Sequence, residues 1–176
     1  MTSQVRNSTL LWGTAAKPVD WEAVYAEQLP RVYNYLRYQM GNEAVAEELC
    51  SRTFEKAWRE RHRYRADLAG TATWLLRIAR NTAIDYRRTW HAHQPLEEEA
   101  LAAPAISTPE EEALIASNFA RLSTLVGTLP ERERELLALK YGAGATNRAI
   151  AEVTGLSESN IGTILHRTVQ KLRTQW

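Results

Sequence analysis

Residues 145–173 read ATNRAIAEVTGLSESNIGTILHRTVQKLR, and this stretch decides the fold. A helix over about 146–154 breaks at Gly155, and a longer one starts at about Glu158. A helix-turn-helix needs a small residue where its helices cross, a turn residue that accepts left-handed dihedrals, and an apolar plug seating the second helix on the first. Ala151, Gly155 and Ile161 stand at the required intervals of four and six. Ile150, Leu156, Leu165 and Leu172 complete an apolar side. At 100° per residue the opposite side of the second helix carries Ser159, Thr163, His166, Arg167, Gln170 and Arg173. A polar, basic face of this kind suits a major groove. The plainer alternative is a helical hairpin with a solvated face.

Upstream, the pattern stays helical. Asp20 caps a stretch running to Met40, with Val24, Leu29, Val32, Tyr33 and Leu36 on its apolar side. Pro30 is expected to kink or divide it. Gly41-Asn42 stops this helix and starts the next, over about 43–62, whose stripe is Ala46, Leu49, Cys50, Thr53, Phe54 and Ala57. An Arg-rich loop at about 63–70 leads into a third helix over about 71–89. That helix places Leu75, Ala79, Thr82 and Tyr86 on one side, with Ile78 beside them. Arg77, Arg80, Asn81 and Arg88 lie on the other, with Trp74 and Arg87 at its margins. Arginine beside an aromatic suits exposed bases, since guanidinium binds phosphate and a ring stacks on an unpaired base. An ordinary amphipathic helix with Trp74 in the core is the competing reading.

Composition sets the frame. Hydrophobic residues make up 44% and charged residues 24% of 176 residues, which suits a folded, helix-rich chain of one ordinary domain or two small ones. No signal pattern or membrane-length apolar run appears, and the single Cys50 reads as core packing, so a cytoplasmic location is expected. Charge is segmented. Residues 55–93 carry a net of +5, residues 94–118 a net of −6, and residues 119–176 a net of +3. Pro95, Pro104 and Glu97-Glu98-Glu99 mark an acidic linker, after which Thr108-Pro109-Glu110-Glu111 and Thr128-Leu129-Pro130-Glu131 read as helix starts. No strand is expected. The expected division is a tail at 1–18, a helical domain at 19–92, a linker at 93–114 and a helix-turn-helix domain at 115–176.

Taken in order, these motifs resemble the extracytoplasmic-function (group 4) sigma factors of bacterial RNA polymerase, within the sigma-70 family. Ala46-Glu47-Glu48-Leu49, Thr53-Phe54 and Ala57-Trp58 are similar to the polymerase-binding helix of its region 2. Trp74-Leu75, Ile78-Ala79-Arg80-Asn81, Asp85 and Arg87-Arg88 resemble its promoter-melting helix. Leu129-Pro130, Glu135, Leu139, Tyr141, Ile150-Ala151-Glu152, Gly155-Leu156-Ser157 and Leu172-Arg173 resemble its region 4.

The resemblance implies an all-α fold, with a three- or four-helix region 2 domain and a helix-turn-helix region 4 domain joined by the acidic linker. It implies that Glu47, Glu48, Leu49 and Phe54 meet the clamp helices of the polymerase β′ subunit, with further contact to β. Arg63, Arg65, Trp74, Arg77, Arg80, Asn81, Arg87 and Arg88 would engage the −10 element and a flipped base, whose capture offsets a few kcal/mol of unstacking. Ser159, Asn160, Thr163, His166 and Arg167 would face the −35 element, with Arg148 near a phosphate. An anti-sigma factor is an implied partner, and the acidic linker would follow the polymerase's RNA path. Ser51-Arg52 departs from the family's frequent Gln-Glu, and Gly162 and Ile164 stand where basic residues are frequent.

Two other classes compete. A free-standing helix-turn-helix regulator explains 129–173 but not Glu47–Trp58 or the Trp74–Arg88 helix. A nucleic-acid-processing enzyme needs clustered carboxylates or His/Cys ligands. His62, His91, His93 and His166 form no metal-ligand set, so no catalytic residue, metal or cofactor is expected.

Overall fold

Short polar side chains, Asp20, Asn42, Thr146 and Ser157, set four of the helix starts, and Gly41 and Gly155 set two sharp stops. The computed structural model describes residues 19–90 and 121–176. The expected tail at 1–18, the linker at 93–114 and the helix start at Thr108 lie outside the described residues. Asp20 caps α1 (Trp21–Met40), its carboxylate accepting from the Glu22 and Ala23 amides at 3.1 Å. Gly41 ends α1 at φ 72°, a left-handed dihedral that costs a residue without Cβ nothing. Asn42 then caps α2 (Glu43–Glu60) through the Val45 amide at 2.8 Å. A 3₁₀ turn, Arg61–Arg63, leads through the basic loop to α3 (Thr71–Trp90).

Pro30 does not divide α1, which runs through it without a break. Proline removes the bond to Ala26, but both residues lie on the exposed side, where solvent can serve the freed carbonyl. The opposite face anchors the helix through Gln28, Val32, Tyr35, Leu36 and Gln39.

Residues 121–127 are helical, and α4 (Glu131–Leu137) follows Pro130. Thr128 does not cap α4; its hydroxyl donates backward to the Leu125 carbonyl at 2.8 Å. The chain then widens into a π-helical turn, Ala138–Gly142, closed by Ala143 N–H on the Ala138 carbonyl at 3.0 Å. Thr146 caps α5 (Asn147–Thr154), and Ser157 caps α6 (Glu158–Gln175). All regular elements among the described residues are helical. None of these helices is long and apolar enough to cross a membrane.

α1, α2 and α3 pack on one another around Val32, Leu36, Ala46, Leu49, Leu75 and Ala79, each at most 1% exposed. The second centre, Leu136, Leu139, Ile150 and Ile161, is fully buried between α4, the π turn, α5 and α6. These two centres do not stand apart. The π turn lies against α1, and α5 against α3, so the buried residues form one continuous cluster. This contact between the halves buries parts of α1 and α3 that the sequence pattern assigned to solvent.

Candidate nucleic-acid interface

The helix-turn-helix has the geometry its spacing requires. Gly155 sits at φ 78° and donates its N–H to the Ala151 carbonyl at 2.8 Å, which turns the chain from α5 toward α6. Ile161 plugs the crossing at 0% exposure, while Ala151 is partly buried beneath it. Thr168 is also inside, its hydroxyl bonded to the Ile164 carbonyl at 2.9 Å. Ser159, Asn160, Thr163, His166 and Arg167 are all exposed on one face of α6, and Arg148 projects from α5 with Glu152 3.6 Å away. That face is rigidly mounted and open.

The basic face of α3 is arranged differently. Arg63, Arg65, Arg77, Asn81 and Arg88 are exposed, and Arg65 grips Asp67 through two bonds of 2.9 and 2.7 Å. The Asp67 carboxyl is held below its ordinary range by this guanidinium bond. Arg80 instead points into the C-terminal helices. Its Nε and Nη2 reach the Glu135 carboxylate at 2.9 and 3.5 Å, leaving the side chains only 26% and 10% exposed. Arg87 meets Glu131 at 2.9 Å, and Arg77 donates to the Glu152 carbonyl at 3.0 Å.

Helical geometry explains this second engagement. Residues 76, 80, 83 and 87 fall within one narrow stripe of α3. Leu76 and Ala83 are buried at 2% and 0%, so the stripe alternates buried apolar residues with its two arginines. The sequence pattern shows this stripe at i, i+4, i+7 and i+11, but the four residues mix polar and apolar and do not register as a face. Glu131 and Glu135, four apart on α4, match the two arginines, and this was the signal available for them.

Tyr35 belongs to the same junction, and Gln39 lies one turn further along α1. The sequence pattern left both off the apolar side of α1, yet they are 0% and 2% exposed. Burial raises the Tyr35 hydroxyl well above the ordinary phenol range; Glu135 raises it further, and Arg87 opposes. Nearby, Arg31 donates to the carbonyls of Ala143 at 2.9 Å and Gly144 at 3.5 Å. Gly142 is a close approach: a Cβ there would come within 2.8 Å of the Tyr38 ring and 3.0 Å of the Asn34 carbonyl oxygen.

Trp74 is half-buried, its ring 5.7 Å from Trp21 and 5.2 Å from Tyr64, so it braces the base of the 61–70 loop. Tyr64 in turn donates to the Ala69 carbonyl at 3.0 Å. On α2, Glu47 and Glu48 are exposed, with Glu48 paired to Arg52. Phe54 is partly buried against Tyr25, at 4.8 Å between ring centroids. Leu49 is fully buried, so it supports this face from inside. Cys50 is buried too, and desolvation pushes its thiol up to about 11. Among the described residues no group of three or more His, Cys, Asp or Glu could hold a metal.

An all-helical chain with an open helix-turn-helix face and a second basic helix has the form of a two-element DNA-binding protein. The profile of Sigma-70 region 2 matches residues 24–91, and that of Sigma-70, region 4 matches residues 119–172. The chain is 31% identical over 156 residues to the RNA polymerase sigma factor CarQ of Myxococcus xanthus, covering 87% of each. It is 29% identical over 151 residues to the ECF RNA polymerase sigma factor BldN of Streptomyces coelicolor, covering 85% of this chain and 57% of BldN. The chain therefore belongs to the RNA polymerase sigma factors of the sigma-70 family, in their extracytoplasmic-function group. Among solved structures, the complex of the sigma factor RpoE with the anti-sigma factor NepR from Bartonella quintana shares the fold, with a TM-score of 0.74. The identity is 18%, and 88% of this chain and 95% of that chain are covered.

Proposed function

We propose that this chain binds core RNA polymerase and directs it to promoters carrying a −10 and a −35 element. The open face of α6 carries the reading. Five polar side chains, Ser159, Asn160, Thr163, His166 and Arg167, project from one side of a helix whose other side is locked into a core. Such a face can hydrogen-bond base edges while Arg148 and Arg167 neutralise phosphates. It would read the −35 element.

The exposed carboxylates Glu47 and Glu48 on α2, with Phe54 beside them, are assigned to the β′ clamp helices, and the C-terminal helices to β. On α3 and its preceding loop, Arg63, Arg65, Arg77, Arg80, Asn81, Arg87 and Arg88 are assigned to the −10 element, with Trp74 positioning the loop. Capture of an unstacked base there would couple recognition to melting. The domain division at 19–92 and 115–176, the acidic linker at 93–114, action beside polymerase in the cytoplasm, and control by an anti-sigma factor complete the proposal. It assigns no catalysis and no cofactor to this chain.

Run-off transcription with purified bacterial core polymerase on a pool of promoter DNA tests the reading. Specific transcripts are expected only when this protein is added. Sequence-specific binding of the protein alone to duplex DNA, with no transcripts, would establish a free-standing regulator instead.

A further inference from the structure

Part of the α3 face assigned to the −10 element, the stripe that carries Arg80 and Arg87, is covered by the chain's own C-terminal helices, while Asn81 and Arg88 stay exposed. Arg80 and Arg87 are neutralised by Glu135 and Glu131, and Arg77 is tethered to the Glu152 carbonyl. Ala83, between the two paired arginines, and Leu76, one turn before Arg80, are sealed from solvent. A nucleic acid cannot reach this stripe without displacing α4 and α5.

We propose that Glu131 and Glu135 act as an intramolecular stand-in for DNA phosphates, holding the free sigma factor in a closed state that masks the Arg80–Arg87 stripe of the −10 face of α3. The inference rests on the assignment of α3 given above. Carboxylates at 2.9 Å from guanidinium nitrogens make the charge-assisted bonds that phosphate oxygens make, so the two ligands compete for the same donors.

The junction is also built to open. At the junction, Tyr35 Oη and Arg87 Nε and Nη2 are buried without a hydrogen-bond partner among the described residues. A buried polar group left unpaired is costly, and parting the halves would hydrate those at the junction. Parting the halves therefore relieves a cost that the two apolar centres on either side do not carry. Occlusion is selective as well. The α6 face and Glu47 and Glu48 on α2 stay exposed in the closed state. Polymerase docking on α2 can accordingly precede opening, and only the melting surface has to be unmasked.

Two variants of the full chain open the junction by different means. Gly142→Val drives side-chain atoms into Tyr38 and the Asn34 backbone. Glu131→Lys/Glu135→Gln removes the anionic decoy and leaves the close approach at Gly142 untouched. Small-angle X-ray scattering is expected to show a larger radius of gyration for both than for the wild type. Anisotropy titration of a mixed-sequence single-stranded oligonucleotide is expected to give tighter binding. Its salt slope should steepen by about 1.4, for two recovered phosphate contacts at roughly 0.7 each. Glu22→Gln/Glu27→Lys, at exposed positions of α1, matches the charge change of the double variant and is expected to leave the size unchanged.

Unchanged size in both opening variants overturns the closed state. If Arg80→Ala still abolishes promoter-specific transcription in that case, the assignment of α3 survives and only the self-masking fails. Expansion with an unchanged salt slope overturns both, because the freed arginines would then not be nucleic-acid ligands.

Discussion

Arg80 on α3 and Glu135 on α4, 55 residues apart in the chain, meet with Nε 2.9 Å from Oε1 and Nη2 3.5 Å from Oε2. The carboxylate is the more deeply buried partner, at 10% side-chain exposure against 26%. Removing the guanidinium therefore orphans the group that can least reach water. Arg80→Ala is expected to destabilise the chain by about 1–2 kcal/mol, more than Glu135→Ala, whose orphaned arginine can extend toward solvent. The loss stays below that for breaking a fully buried pair, because the halves can part and hydrate the carboxylate. Urea unfolding of the two single variants and the double variant checks this. Additive losses with no coupling would contradict it.

Gly155 turns α5 toward α6 at φ 78°, where a Cβ is strained whatever the space around it. Gly155→Ala is expected to cost about 1–2 kcal/mol and to weaken duplex binding by misaligning α6. Thermal unfolding together with a duplex titration measures both effects. An unchanged melting temperature would show that the turn does not need its glycine.

Gly162 lies on α6 with only Asn147 Nδ2 near its missing Cβ, at 3.7 Å, an ordinary contact. A lysine there fits, and it restores a cation at a position where the family is frequently basic. Gly162→Lys is expected to steepen the salt dependence of −35 duplex binding by about 0.9, the value of one added phosphate contact. No change in slope would mean that this side of the helix does not approach the backbone.

Cys50 is 4% exposed, and its thiol is pushed up to about 11 by burial. The thiolate is the reactive form, so at pH 8 the native protein is expected to react with a disulfide reagent far more slowly than the urea-unfolded chain. The rate of the folded protein should rise as pH climbs toward 11. Rapid native labelling at pH 7 would place Cys50 outside the core.

The helix-turn-helix was legible because its signals are local. Gly155, Ser157 and Ile161 each act within a few residues, and the polar face of α6 follows from one period. Cys50 as core, and the limits of α1 and α2 at Asp20, Gly41 and Asn42, were readable for the same reason. The self-contact of the two halves was not. It depends on Arg80, Arg87, Glu131 and Glu135, which a periodicity reading assigns to solvent on both helices. Tyr35 was missed likewise, since it meets Glu135 and Arg87 from distant parts of the chain rather than its own helical neighbours. Pro30 leaves α1 undivided because it sits on the side of the helix that faces solvent.

Promoter opening is the most direct measure of whether the arginine stripe of α3 serves DNA. Permanganate reactivity of unpaired thymines on a promoter fragment, with core polymerase and this sigma factor, reports it. The wild type should give reactive thymines in the −10 element, Arg80→Ala should lose most of that signal, and Gly142→Val should retain or increase it. Equal reactivity with Arg80→Ala and wild type would contradict the account.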